Sequence, residues 1–283
     1  FDVVAKMRGI ADCHKIGHCG TLDPMATGVL PLFFGRSAKA MELMPNQDKR
    51  YTAAIRFGIT TDTQDCTGNV LSTSEKPVTR EALEAALVPL RGTIDQLPPM
   101  YSAVWVDGQR LYKLARAGKE VERPTRQVTV HRLGLMENRT CVIDVACSKG
   151  TYIRTLCHDI GEALGCGGIL TALRRTETLG FTCEDCHTLE ELKQRSDEGR
   201  FEELLMPVDA AFRQYKSIFL SPKQTKMFLD GIRLDTNRIK IPAAGDTVRV
   251  YGEGRFLALA HIERSIAELQ IIKLFYTKES TNC

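Results

Sequence analysis

The sequence has no run approaching the ~20 consecutive apolar residues of a membrane-spanning helix, and its first residues carry no charged segment followed by an apolar one. A soluble, unsecreted protein of the cytoplasm, with no membrane partner, is expected. Internal repeats and low-complexity tracts are missing, which excludes collagen-like, mucin-like and acidic-tail classes. Neither a G-K-[ST] phosphate loop nor a G-x-G-x-x-G fingerprint is present. A second Cys pair to join Cys183 and Cys186 in a zinc site is also lacking, and His187 adjoins Cys186 too closely to share a metal with it. No metal and no cofactor are expected. Net charge is small as well: 38 Lys+Arg against 35 Asp+Glu leave +3.

What is there is ordinary globular material. With 43% hydrophobic and 26% charged residues in 283, the chain has enough apolar side chain for one large domain or two unequal ones. Ten cysteines in a chain that is neither short nor visibly secretory predict reduced thiols. The small net charge conceals a local excess: Arg110, Lys113, Arg116, Lys119, Arg123, Arg126 and Arg132 lie within 29 residues, against Asp107, Glu120 and Glu122. Such a stretch suits either a phosphate-binding face or a solvated helix and turn.

Apolar spacing predicts a helix through Val3, Val4, Met7 and Ile10 and a strand through Tyr51, Ala53, Ile55 and Phe57. A helix capped by Thr79 carries Leu83, Leu87 and Leu90 and stops at Gly92. Further strands are predicted at Tyr101 to Val106, Val128 to Leu135 and Cys141 to Ser148, with a short helix reaching Gly118. A helix then holds Ile153, Leu156, Ile160 and Leu164 up to Gly165, and Thr188-Leu189-Glu190-Glu191 is a capping box. Beyond about Tyr215 come one short helix, Ser221 to Leu229, and short strands with Gly turns. An α+β fold with a mixed or antiparallel central sheet flanked by helices is expected over 1–214, with a small β-rich domain over 215–283.

The segment Gly17-His18-Cys19-Gly20-Thr21-Leu22-Asp23-Pro24-Met25-Ala26-Thr27-Gly28 puts one carboxylate on a stiffened turn: Pro24 restricts Asp23 to extended conformations, and the glycines allow close approach of a ligand. A structural loop and a catalytic one suit these residues equally. The string closely resembles the G-H-x-G-T-L-D-P-x-A-x-G signature of the TruB family of pseudouridine synthases, and the likeness continues in order. It takes in Asp48-Lys49-Arg50-Tyr51 with Asp62-Thr63-Gln64-Asp65, then Pro98-Pro99-Met100-Tyr101-Ser102-Ala103 with Gly108, Leu111-Tyr112, Ala115-Arg116, Gly118 and Arg123. Lys149-Gly150-Thr151-Tyr152-Ile153-Arg154-Thr155-Leu156 and Leu173-Arg174-Arg175 complete it.

The resemblance implies a pseudouridine synthase fold with a PUA-like C-terminal RNA-binding domain, and an enzyme that isomerises uridine 55 in the T-arm loop of tRNA without cofactor or obligate protein partner. By the same match Asp23 is the catalytic aspartate and Arg154 the arginine paired with it, whose charge favours the carboxylate form. Tyr51 stacks on the target uracil, Tyr152 and Leu173 line the base pocket, and His18 helps hold the RNA loop open. Taken singly, Tyr51 reads more often as a strand aromatic in a core, Leu173 as packing and His18 as a hydrogen-bonded loop residue, and Arg154 fits an exposed charge on a helix; only their joint position in ordered motifs lifts them. The family's chains carry a strand and a K-P-x-G-x-[ST]-[ST] segment ahead of the position of Phe1, so a piece of the central sheet and one wall of the cleft are expected to be missing. Two rivals share the RNA face: a tRNA-binding or remodelling protein, and an rRNA-directed relative working with guide RNA.

Overall fold

A computed structural model of the chain describes residues 2–44, 47–137 and 141–276. The chain gathers into two compact units, Gly20–Leu30 with Asn46–Cys186, and Phe1–Cys19 with Pro31–Pro45 and His187–Cys283.

The first of these units is built on one sheet. Its strands run in the order Phe181–Thr182, Gly168–Thr178, Lys49–Phe57, Val142–Cys147, Arg126–Leu135 and Gly92–Gln96, and Thr27–Gly28 lies along Gly168–Thr178. That last pairing is parallel and the others antiparallel, which makes the sheet mixed, as expected. Along the Lys49–Phe57 strand Tyr51, Ala53 and Ile55 are buried on one face, and helices Arg80–Leu87 and Ile153–Leu164 cover it with Leu83, Leu87, Leu156 and Ile160. The second helix lies hard on the strand it feeds: a Cβ on Gly161 would meet the backbone of Gly167 and Gly168.

Two local predictions need correction, and two strands go unpredicted. The helix capped by Thr79, whose hydroxyl accepts from Ala82 N–H, ends at Leu87 and passes into a 3₁₀ turn over Val88–Leu90; Pro89 has no N–H with which to continue it. The strand predicted at Tyr101 to Val106 shrinks to Trp105–Val106, paired with Gln109–Arg110. Its backbone groups go elsewhere: Ser102 N–H to Met100 O, Ser102 O to Tyr112 N–H, Val104 O to Leu111 N–H, and Tyr101 O to the Arg154 side chain. Conversely, Gly92–Gln96 and the 11-residue Gly168–Thr178 are strands that apolar spacing did not predict.

In the second unit the strand order is Lys216–Leu220, Thr247–Gly252, Arg255–Glu263, Glu268–Leu274 and Leu234–Asp235, parallel only at the first pairing. Ile218, Phe228, Val248, Val250, Leu257 and Ile262 form its core under the helix Pro222–Leu229, which Ser221 and Gln224 close with a capping box. The helix Asp2–Ile10, the short pair Ile16–His18 with Leu32–Phe34, and the capped helix Leu189–Asp197 belong to the same unit. No helix among the described residues is long and apolar enough to cross a membrane.

Candidate active site

Asp23 opens a tight turn: Ala26 N–H donates to Asp23 O at 2.9 Å across Pro24 and Met25, an Asp-Pro start that suits a β-turn. The carboxylate stands just ahead of the Thr27–Gly28 strand, with its side chain 34% exposed. Arg154 meets it from the first turn of the Ile153–Leu164 helix. Its Nε donates to Asp23 Oδ2 at 2.9 Å and its Nη2 to Oδ1 at 3.2 Å, a two-pronged pair. The same guanidinium also donates to Thr63 O and Tyr101 O, each at 3.0 Å, and its Nη1 lies 3.7 Å from Asp65 Oδ2.

Arg154 is buried, with its side chain only 6% exposed, so the reading as an exposed helix charge does not hold. A cation in the first turn of a helix opposes the positive end of the helix dipole. Local structure therefore gives no reason for it; the two carboxylates and two carbonyls around it do. Asp65 is itself buried, and its Oδ1 accepts from Thr63 Oγ1 at 2.8 Å, Thr67 N–H at 2.9 Å and Thr67 Oγ1 at 2.6 Å. One guanidinium is thus shared by a partly exposed carboxylate and a fixed, buried one.

The helix start that carries Arg154 is pinned separately. Gln96, 2% exposed, accepts from Tyr152 N–H at 2.8 Å and donates to Tyr152 O at 3.0 Å. Tyr152 itself is half-buried. Tyr51 and Leu173, each 7% exposed, sit in the main hydrophobic cluster, against which Met25 and Ala26 of the loop pack. Burial pushes the Tyr51 phenol up to about 12, with the charge of Arg175 opposing the rise, so it is protonated at neutral pH. Lys49, two residues before it on the same strand, is lowered by burial and by the same Arg175.

Asp23, Tyr51, Tyr152, Arg154 and Leu173 therefore all belong to one unit. His18 belongs to the other, exposed at the end of the Ile16–His18 strand. Asp65 and Arg175 lie within the resembling segments, which give neither a task, and Gln96 lies outside them. Cys183 and Cys186 are free thiols, and among the described residues no group of three or more His, Cys, Asp or Glu is arranged to hold a metal ion.

A partly exposed carboxylate gripped by a buried arginine is chemically a poised nucleophile or base. Comparison with known proteins supplies the lineage. The model of the TruB family pseudouridylate synthase N-terminal domain matches residues 8–153, and that of the tRNA pseudouridylate synthase B C-terminal domain matches 154–213. A tRNA pseudouridine synthase B of Azoarcus sp. (strain BH72) is 46% identical over 255 residues, 89% of this chain and 83% of that protein. Its counterpart in Cupriavidus metallidurans is 41% identical over 283 residues, 96% of this chain and 90% of that one. Among solved structures, an H/ACA RNP bound to a substrate RNA containing 2′-deoxyuridine aligns at TM-score 0.71 and 20% identity, over 98% of this chain and 81% of that chain, a likeness of fold. The ordered motifs and the extent of these matches lead to one conclusion: the chain belongs to the TruB family of pseudouridylate synthases.

Proposed function

We propose that this chain converts uridine 55 in the T-arm loop of tRNA to pseudouridine, with Asp23 as the catalytic group and no cofactor. The two-pronged Arg154–Asp23 pair carries the reading, because it holds a partly exposed carboxylate in fixed orientation. In the reaction the N1–C1′ bond breaks, the uracil turns, a C5–C1′ bond forms, and the proton lost from C5 is balanced by one gained at N1, with no net redox change. A carboxylate serves at such a centre as nucleophile or base, as at the anomeric carbon in glycoside hydrolysis.

The target base must first leave its stack. Tyr51 stacks on the flipped uracil and handles the C5 proton, Tyr152 and Leu173 wall the pocket, and His18 helps to keep the RNA loop open. Residues 1–214 form the catalytic domain and 215–283 a PUA-like RNA-binding domain. The enzyme works in the cytoplasm without an obligate protein partner. The family's name and the relatives named tRNA pseudouridine synthase B support the tRNA substrate. The test is release of tritium from tRNA labelled at uracil C5: many turnovers per protein molecule, confined to the T-arm uridine, are expected, and binding without release would favour a remodelling protein.

A further inference from the structure

Arg175 is the largest fully buried side chain among the described residues, 0% exposed, and it pairs with Tyr51 on the neighbouring strand. A buried guanidinium normally faces a carboxylate, because desolvating an unpaired charge is expensive. Arg175 instead spends its donors on backbone. Its Nε donates to Val29 O at 2.8 Å and its Nη2 to Gly20 O at 2.9 Å, while Nη1 is buried with no partner in hydrogen-bonding geometry. Those two carbonyls are the two feet of the segment that carries Asp23.

The main chain of the same residue completes the hold. Val29 N–H donates to Arg175 O at 2.8 Å, and Arg175 pairs in parallel register with Gly28, whose φ of +97° and closeness to the Arg175 carbonyl leave no room for a Cβ. At the other foot a Cβ on Gly20, where φ is +77°, would stand 3.2 Å from Arg175 Nη1 and 3.3 Å from Lys49 Cε. Resting on the proposed role of Asp23, we infer that Arg175 is a positioning residue for catalysis, clamping both ends of the Gly20–Val29 loop so that Asp23 stands at a fixed place beside the Tyr51 phenol. The charge of the same guanidinium also acts on the Tyr51 phenol, against the rise that burial causes. Arg154 fixes the direction of the Asp23 carboxylate; Arg175 fixes the backbone from which it projects.

The test is single-turnover kinetics on a T-arm stem-loop labelled at uracil C5, with the dissociation constant measured separately, for Arg175→Met, Gly20→Ala and Asp23→Asn. Displacing a reacting group by about 1 Å slows chemistry on the order of a hundredfold. Arg175→Met is therefore expected to lower the rate constant by about that factor, with the dissociation constant within a few-fold. A merely structural role predicts a smaller amplitude, because less protein is folded, at an unchanged rate constant. Gly20→Ala disturbs one foot of the clamp without emptying the core, so if Arg175→Met does not fold, a slowed rate constant in Gly20→Ala carries the inference. Full-speed turnover in whichever of the two folds overturns it while Asp23→Asn is dead. Activity in Asp23→Asn removes instead the catalytic assignment on which the inference rests.

Discussion

Arg154 binds Asp23 through two nitrogens while the same guanidinium is tied to the Thr63 and Tyr101 carbonyls. The pair is thus oriented from behind by backbone that no side-chain rotation can release. A lysine supplies the charge without the planar fork, so Arg154→Lys is expected to retain fold and RNA binding and to lose turnover by about a hundredfold or more. Tritium release beside a binding isotherm checks this. Arg154→Ala leaves Asp65 buried and short of its cation, and is expected to lower stability by roughly 3–5 kcal/mol, read from denaturant unfolding.

Asp23→Asn keeps the shape of the loop and one acceptor for Arg154 but removes the anion. Turnover below about one part in a hundred of the wild type is expected, with RNA affinity within a few-fold. Residual activity above that level assigns the chemistry to another group.

Why some of this was legible in the sequence and some not follows from where each residue finds its partners. The strand through Tyr51, Ala53 and Ile55 and the helix through Ile153, Leu156 and Ile160 each bury a periodic face, and periodicity is a local signal. The Asp23 turn is local too, written in Asp23-Pro24 and its flanking glycines. Gln96 and Arg175 are different. They act on Tyr152 and Gly20, 56 and 155 residues away in sequence, and a buried polar residue carries no mark of its distant partner. The strand Gly168–Thr178 escaped for a related reason: it mixes Leu170 and Leu173 with Arg174, Arg175 and Glu177, and its bulges at 170–172 and 175–177 break the two-residue alternation.

Gln96 satisfies both backbone groups of Tyr152 at the head of the helix that bears Arg154. Gln96→Leu fills the space and strands two polar groups, each at a cost of about 1–3 kcal/mol. Loss of roughly 2–6 kcal/mol in denaturant unfolding is expected, together with slower turnover, since the first helical turn is the platform for Arg154. A stability change without any kinetic change would separate the helix start from the site.

The Tyr51 phenol, raised to about 12 by burial, sets an alkaline limit. Its ordinary value is 10, so below pH 10 both states keep the proton and its contribution is fully present. Between pH 10 and 12 the unfolded chain ionises while the folded one does not, and stability falls with rising pH. The window of two units corresponds to about 3 kcal/mol. Tyr51→Phe is expected to show a shallower alkaline loss of stability in urea unfolding at pH 9 to 11, to bind RNA normally, and to turn over slowly. A Phe variant as fast as the wild type reduces Tyr51 to a stacking surface.

The basic stretch of residues 110–132 divides on the structure into two kinds of arginine. Arg123 was expected among the phosphate-binding residues, but its side chain is only 13% exposed and donates to the carbonyls of Pro98 and Val121, so it braces its own loop. Arg132 shares Asp144 with Arg50. Lys113, Arg116, Lys119 and Arg126 are exposed, and Arg116 lies over the Tyr112 ring. Nearby, Trp105, the single tryptophan of the chain, is 58% exposed with the Arg110 guanidinium 4.5 Å from its ring centroid, which makes it a built-in optical reporter for this face. Binding to phosphate releases counterions, and each contact contributes roughly −0.7 to −0.9 to the slope of log affinity against log salt. Titrating a T-arm stem-loop into the protein is therefore expected to quench Trp105 fluorescence, with affinity falling steeply from low to moderate salt. Arg116→Ala should make the slope shallower by about one unit and leave the melting temperature in place. Arg123→Ala should do the reverse, lowering the melting temperature while the salt slope stays as it was, because its cation is turned toward backbone carbonyls and away from solvent. Equal slopes for Arg116→Ala and the wild type would remove this face from the RNA interface, whatever the fate of Asp23.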